Sequence, residues 1–374
     1  MSAAGLGDTR TALASWLADR LREEGAIEVA VSELASPPVG QSNDTALFDA
    51  TWVRAGAEEH ASLVLRRQPT TRQLFIDADV LREAKVIEGL ATTAVPAPRV
   101  RWIEDDPNVL GAPFFVMDRI DGTVPAAKPS IHAVGWLPML SPSERRRLWD
   151  AAMATMVAVH AVDWRQTHGF LLRGDEAEAT TAGYVAWLAE WYRWTTKGRS
   201  FPVTDAALGW LEANVPGDDR DAVLVWGDPR LGNMLFADDL TVVGALDWEN
   251  ARIGSRCQDL AHWLFFDAFA TTLSGIERLE GFPGREETIA RYEEVSGARV
   301  GDLRFFDVSQ AFFIAVTLIR QADLSVAAGT LGEGTTMGHG NVVTQLLARL
   351  LGIDEPELSP DYLAHRRPPG QAPA

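Results

Sequence analysis

Val223-Leu-Val-Trp-Gly-Asp228-Pro-Arg-Leu-Gly-Asn233-Met-Leu-Phe236, the turn Ala237-Asp-Asp-Leu240 and then Thr241-Val-Val-Gly-Ala-Leu-Asp247-Trp-Glu249 form the stretch on which the reading of this chain turns. Two acidic residues each end an apolar, strand-like run, and an amide stands five positions after the first. A hairpin here brings all three polar groups to one end. Phosphoryl transfer from a nucleotide requires such a set. One carboxylate orients the attacking hydroxyl and accepts its proton, and an amide oxygen with a second carboxylate holds the magnesium that bridges the phosphates. The plain alternative, a turn aspartate at 228 and a helix cap at 247, leaves the joint spacing unexplained.

Outward from this island, two regions differ in character. Before it, β-like runs at Glu28 to Leu34, Thr45 to Val53 and His60 to Arg67 are followed by a helical pattern over 75–90 and by two more runs, Arg99 to Ile103 and Pro113 to Asp118. A leading helix over 8–24 carries Leu13, Trp16, Leu17 and Leu21 on one face. After Asp121-Gly122 the patterns are long and helical: 143–161, 180–197, 205–213, 258–273, 285–295 and 303–327. The expected organisation is an N-terminal lobe over 1–120, a C-terminal catalytic and substrate-binding lobe over 121–365, and a disordered tail over 366–374.

The segment from Asp228 to Asp247 resembles the Asp-x-x-x-x-Asn catalytic loop and metal-binding aspartate of the aminoglycoside phosphotransferase and choline kinase-like families, and Asp247-Trp-Glu249 resembles the ending of that motif in many small-molecule kinases. The resemblance covers 28 to about 350. It implies an α+β, two-lobed, protein-kinase-like fold: a small antiparallel-sheet lobe with a helix, and a larger, mainly helical lobe. It also implies ATP and Mg2+ as cofactors, a small-molecule hydroxyl as acceptor, Asp228 as catalytic base, and Asn233 and Asp247 as magnesium ligands.

The same likeness assigns further residues. Arg66, where the family usually has lysine, would meet the phosphates. It would be held by Glu83, whose carboxylate shares an inward helix face with Val86, Ile87 and Leu90 and needs a partner there. Gly40, Ser42 and Asn43 lie in the loop that would cover the phosphates, and Met117 and Ile120 fall where such folds link their lobes and bind adenine. Trp226 stands where the family has histidine, and its indole N–H can donate one hydrogen bond in that place. Asp259 matches an aspartate that reads as structural, and His160 reads as a packed helix residue.

Composition bounds the alternatives. Lys plus Arg number 34 against 52 Asp plus Glu, a formal net charge of -18. That argues against a nucleic-acid binder, which needs a positive surface to displace counterions; it fits a cationic acceptor, while the plainer reading is that the acidity serves solubility alone. Cys257 stands alone, so intramolecular disulfides and multi-thiolate metal sites are excluded. No apolar run approaches the ~20 residues that span a bilayer, so no membrane partner and a cytoplasmic location are expected. Trp187, Trp191 and Trp194 share a helix face with Tyr184 and Tyr192 nearby, either as core packing or as a wall for an aromatic or cationic substrate. The departures at Arg66, Trp226 and the glycine-poor loop keep a second reading in view, a nucleotide-binding pseudokinase or regulator without phosphotransfer.

Overall fold

The structure is a computed structural model of the chain and describes residues 3–37, 44–71, 73–126, 128–172, 179–217 and 222–366. The chain forms two compact units, Met1–Asp121 and Gly122–Ala374.

The first unit opens with α1 (Ala3–Glu23), whose Leu13, Leu17 and Leu21 are wholly buried, as the 4- and 8-residue spacing predicts. They pack with Phe48, Leu63, Phe114 and Val116 from the sheet. Trp16 meets Phe114 edge-on at 4.8 Å, and its indole N–H donates to Glu104 Oε2 at 2.6 Å, so a large apolar body is buried with its one polar atom satisfied.

The sheet comprises β1 (Ala26–Val31), β2 (Asp44–Arg54), β3 (Ala57–Arg67), β4 (Val100–Glu104) and β5 (Phe114–Asp118), antiparallel in the order β1-β2-β3-β5-β4. β2 and β3 extend further toward each other than the alternation indicates. Ala55 and Gly56 both hold positive φ, 52° and 81°, so a two-residue turn whose twist matches the strands joins Arg54 to Ala57. β1 starts two residues earlier and ends three residues earlier than expected, and a bulge between Ile27 and Ala30, with Glu28 at φ 55°, shifts its register before Ala30 and Val31 pair with Thr51 and Ala50. The helix expected from 75 begins at 80: α2 (Val80–Leu90) is capped by Asp79, whose carboxylate accepts from Leu81 and Arg82 N–H at 2.9 and 3.0 Å. The short α3 (Pro107–Leu110) fills the link between β4 and β5.

The second unit is mainly helical: α4 (Pro142–His160), α5 (Trp164–Thr167), α6 (Thr181–Thr196), α7 (Pro202–Ala213), α8 (Cys257–Ala270), α9 (Arg285–Ser296), α10 (Arg304–Ala327), α11 (Val342–Leu351) and α12 (Pro360–Arg366). α10 packs against α6, α7, α8 and α11 and buries Ala311, Phe312, Ala315 and Val316 completely. α11, which the sequence reading did not place, starts at a capping box of Asn341 and Thr344. Two ribbons interrupt the helices: β6 (Ala222–Val225) pairs with β9 (Arg252–Ser255), and β7 (Met234–Phe236) with β8 (Val242–Ala245), all antiparallel. The single hairpin expected over 223–249 is therefore two ribbons. β7 and β8 form the hairpin, and β6 takes its partner from beyond it. Among the described residues no helix is long and apolar enough to cross a membrane. The tail expected to be disordered lies, from 367 on, outside the described residues.

Candidate active site

The loop leaving β6 is fixed from behind by one buried carboxylate. Asp259, in the first turn of α8 and fully buried, accepts the backbone N–H of Trp226 at 2.7 Å on Oδ2 and that of Gly227 at 2.8 Å on Oδ1. His160 Nε2 lies 2.9 Å from the same Oδ2, and its Nδ1 lies 2.7 Å from the Tyr292 hydroxyl. The negative charge sits where a helix N-terminus favours it, and both carboxylate oxygens are hydrogen-bonded. Gly227 is required here. Its φ is 90°, and a Cβ would lie 2.5 Å from the backbone oxygen of Asn250.

This anchoring presents Asp228. Its Oδ1 accepts from Arg230 Nε at 2.7 Å and lies 2.7 Å from His262 Nε2, while Oδ2 makes no hydrogen bond with the described residues. Burial by itself would raise the carboxyl pKa. Arg230 and His262 outweigh it and hold the group well below the usual carboxylate range. Burial would also disfavour the Arg230 cation, but the charges of Asp228 and then Asp247 more than offset this and raise its pKa. The guanidinium lies 5.2 Å from the Phe266 ring centroid.

Asn233 and Asp247 come from the β7–β8 hairpin. The Asn233 side-chain N–H donates to the Asp228 carbonyl at 3.1 Å, so the amide oxygen is the atom that could meet a cation. Leu246 N–H donates to the Asn233 carbonyl at 2.9 Å, so Asp247 follows directly on a residue tied to Asn233. Asp247 takes a φ of 65°, in the left-handed region. Trp226 and Trp248 stack at 5.0 Å and 19°. Their indole N–H groups donate to the carbonyls of Leu246 and Ala245, each at 2.9 Å, so Trp226 makes the one bond that an indole N–H can donate. Two hard oxygen donors suit a magnesium ion that takes its remaining ligands from phosphate and water. Among the described residues no three His, Cys, Asp or Glu side chains form a cluster able to hold a metal by themselves.

In the first unit, Arg66 on β3 pairs through Nη2 with Glu83 Oε1 of α2. The two side chains are 12% and 2% exposed, so the pairing inferred from the inward helix face is present. Met117 lies within β5, buried between β3 and β4, and the N–H groups of Asp118 and Arg119 are bonded to Arg99 and Ser62 carbonyls. Ile120, half-buried, is past the strand end. Gly40, Ser42 and Asn43 lie outside the described residues.

Trp191 is fully buried against Phe313 at 5.0 Å, which is core packing. The faces of Tyr184 and Trp187 already carry the guanidinium of Arg252, 4.7 Å from each, and Trp194 carries that of Arg320. The aromatic wall read as open to a cationic substrate is thus engaged by the protein's own cations.

Arg230 and His262 are the site residues that the sequence reading missed. For His262 a signal existed: 259, 262 and 266 recur on one helical face, so the residue that anchors the loop and the one that touches Asp228 share a side of α8.

The sequence profile of the phosphotransferase enzyme family matches residues 34–294. Human acyl-CoA dehydrogenase family member 11 is 26% identical over 321 residues, covering 84% of this chain, which spans only 38% of that protein. Among solved structures, a Ralstonia eutropha protein described as a candidate aminoglycoside phosphotransferase superposes with a TM-score of 0.63 at 23% identity, covering 91% of this chain and 95% of its own. Aminoglycoside phosphotransferase APH(4)-Ia in complex with ADP and hygromycin B superposes with a TM-score of 0.52 at 16% identity, covering 91% of this chain and 98% of its own. These structures share the protein-kinase-like fold, and with the profile spanning well over half the residues, the chain belongs to the phosphotransferase enzyme family.

Proposed function

We propose that this protein transfers the γ-phosphoryl group of ATP to the hydroxyl of a small molecule. The observation that carries the reading is the division of labour at Asp228: one oxygen is held by Arg230 and His262, and the other makes no bond within the described residues. Oδ2 takes the proton of the acceptor hydroxyl as its oxygen bonds to the γ-phosphorus and the bond to the β-phosphate oxygen breaks, releasing ADP. The lowered pKa keeps Asp228 ionised through neutral and mildly acidic pH. Asn233 and Asp247 hold magnesium, which when bound neutralises the charge on the phosphates. Arg66, oriented by Glu83, supplies a fixed cation to the nucleotide phosphates. ADP in the APH(4)-Ia complex supports the nucleotide. The dehydrogenase named in the human relative belongs to a protein of which this chain spans 38%, and nothing in the site described here calls for it.

Thermal unfolding with Mg·ATP tests the nucleotide and metal roles together. At 100 times Kd a ligand that binds only the folded state stabilises it by about 2.7 kcal/mol. Mg·ATP is expected to raise the Tm of the wild-type protein, and Asp247→Ala should abolish most of the shift. The absence of any shift with millimolar Mg·ATP would refute the proposal. Transfer of label from γ-labelled ATP to a hydroxyl acceptor then tests the reaction.

A further inference from the structure

Arg285 grips Asp307, and Arg199 grips Asp323, with both terminal nitrogens, the fork geometry that suits a planar anion. Arg230 does otherwise. It bonds Asp228 Oδ1 sideways, through Nε, and neither Nη1 nor Nη2 makes a hydrogen bond with the described residues. The side chain is 31% exposed, and neither terminal nitrogen is sealed in the interior. Asp228 Oδ2 is in the same condition, unbonded and open. One ion pair therefore presents outward both the free oxygen of the base and most of the N–H groups of a guanidinium.

The surroundings hold this cation in place. The backbone N–H of Arg230 donates to the Asp228 carbonyl at 3.0 Å, and its carbonyl accepts from Asn233 N–H at 2.9 Å. The charges of both Asp228 and Asp247 act on its guanidinium. Gly232 makes room for the fork, since a Cβ there would lie 3.1 Å from Nη1. The Phe266 ring stands 5.2 Å from the guanidinium and 4.7 Å from the His262 ring, so one side chain of α8 supports both groups that bond Asp228 Oδ1. A phosphoryl group in transfer lies between the base and the metal, and this fixed cation is flanked by Asp228 and Asp247.

We propose that Arg230 is a catalytic residue, whose Nη1 and Nη2 hold non-bridging oxygens of the γ-phosphoryl group during transfer while its Nε keeps its bond to Asp228. This rests on the phosphotransfer reading and adds to it a group that touches the reacting atoms. The acceptor oxygen bonds to the γ-phosphorus, the bond from that phosphorus to the β-phosphate oxygen breaks with its electrons passing to ADP, and the hydroxyl proton goes to Asp228 Oδ2. Arg230 makes and breaks no covalent bond. As the proton arrives the negative charge of Asp228 is lost, and the guanidinium is left to the phosphoryl oxygens. Its hold on them tightens as transfer proceeds, which is the condition for lowering the barrier.

The test titrates the full chain calorimetrically with Mg·ADP, alone and with aluminium fluoride, which mimics the phosphoryl group in transfer and requires no identified acceptor. Aluminium fluoride should tighten Mg·ADP binding to the wild-type protein, as transition-state mimics do. Arg230→Met should weaken the fluoride complex by about 10–100-fold, the loss expected for hydrogen bonds to a charged group, with Mg·ADP alone bound within about 3-fold of wild type. Arg230→Lys, which keeps the charge and loses the fork, should fall between the two. The same comparison in an Asp228→Asn background separates contact from positioning, because no carboxylate is left there to repel the fluoride complex. A loss of the same size in that background upholds the proposal. A loss seen only when Asp228 is charged makes Arg230 a holder of the base and overturns it, as does a wild-type protein in which aluminium fluoride tightens nothing. Mg·ADP that fails to bind the wild-type protein rejects the phosphotransfer reading and this assignment together. Mg·ADP binding with a fluoride complex unmoved by Arg230→Met rejects the assignment alone.

Discussion

Asp228→Asn is expected to lower phosphate transfer by about 10²–10⁴-fold, the range that a positioned general base contributes, while Mg·ATP continues to raise the Tm. The amide matches the carboxylate in shape but cannot take the acceptor's proton, and it removes the anion that Arg230 and His262 share. The same change costs stability at neutral pH. The folded-state pKa of Asp228 lies below its unfolded value, near 3.9, so its contribution is complete above that value and disappears as the pH falls through the folded pKa. Wild-type and variant stabilities should therefore converge in strong acid. Single-turnover transfer and denaturant unfolding at two pH values check both parts. A variant that keeps more than a tenth of the wild-type rate would remove Asp228 from the role of base.

Asp259→Ala should produce the largest loss of stability. Two backbone N–H groups and the His160 ring lose their acceptor together in a site closed to water. At about 1–3 kcal/mol for each orphaned donor, the total is at least about 3 kcal/mol, a large part of the roughly 5–15 kcal/mol that holds a typical domain folded. Urea unfolding measures it. Activity should also fall well below the melting transition, because Gly227 and Asp228 are then no longer held at their positions. A loss under about 1 kcal/mol would mean that the loop is fixed by its other contacts, the Trp226–Trp248 stack among them.

Much of this was legible in the chain, and the reasons differ by element. β2 and β3 are 11 residues each, and β2 alternates between buried and half-buried positions along most of its length while β3 carries the apolar run Leu63-Val-Leu65 near its end, so both stand out in the sequence. β9 is four residues long and finds its partner β6 some 30 positions back, so neither its length nor its neighbourhood marks it. The triad of Asp228, Asn233 and Asp247 was visible as spacing, whereas the ribbon exchange that delivers Asp228 separately from the other two was not. Arg66 and Glu83 could be paired in advance because an inward carboxylate needs a cation. Arg252 could not: it opens β9, and what it does is decided by the two rings beneath it, which lie on α6.

The parallel indoles of residues 226 and 248 flank the two acidic positions of the motif in sequence, and their 5.0 Å separation puts two strong ultraviolet transitions within coupling range. Coupled chromophores in a fixed chiral arrangement give a paired positive and negative circular-dichroism band, which vanishes when either ring is replaced or the rings move apart. The protein thus carries an intrinsic optical gauge of the β7–β8 hairpin, readable without a label, and on the proposed function it should respond to magnesium and nucleotide before any product is formed.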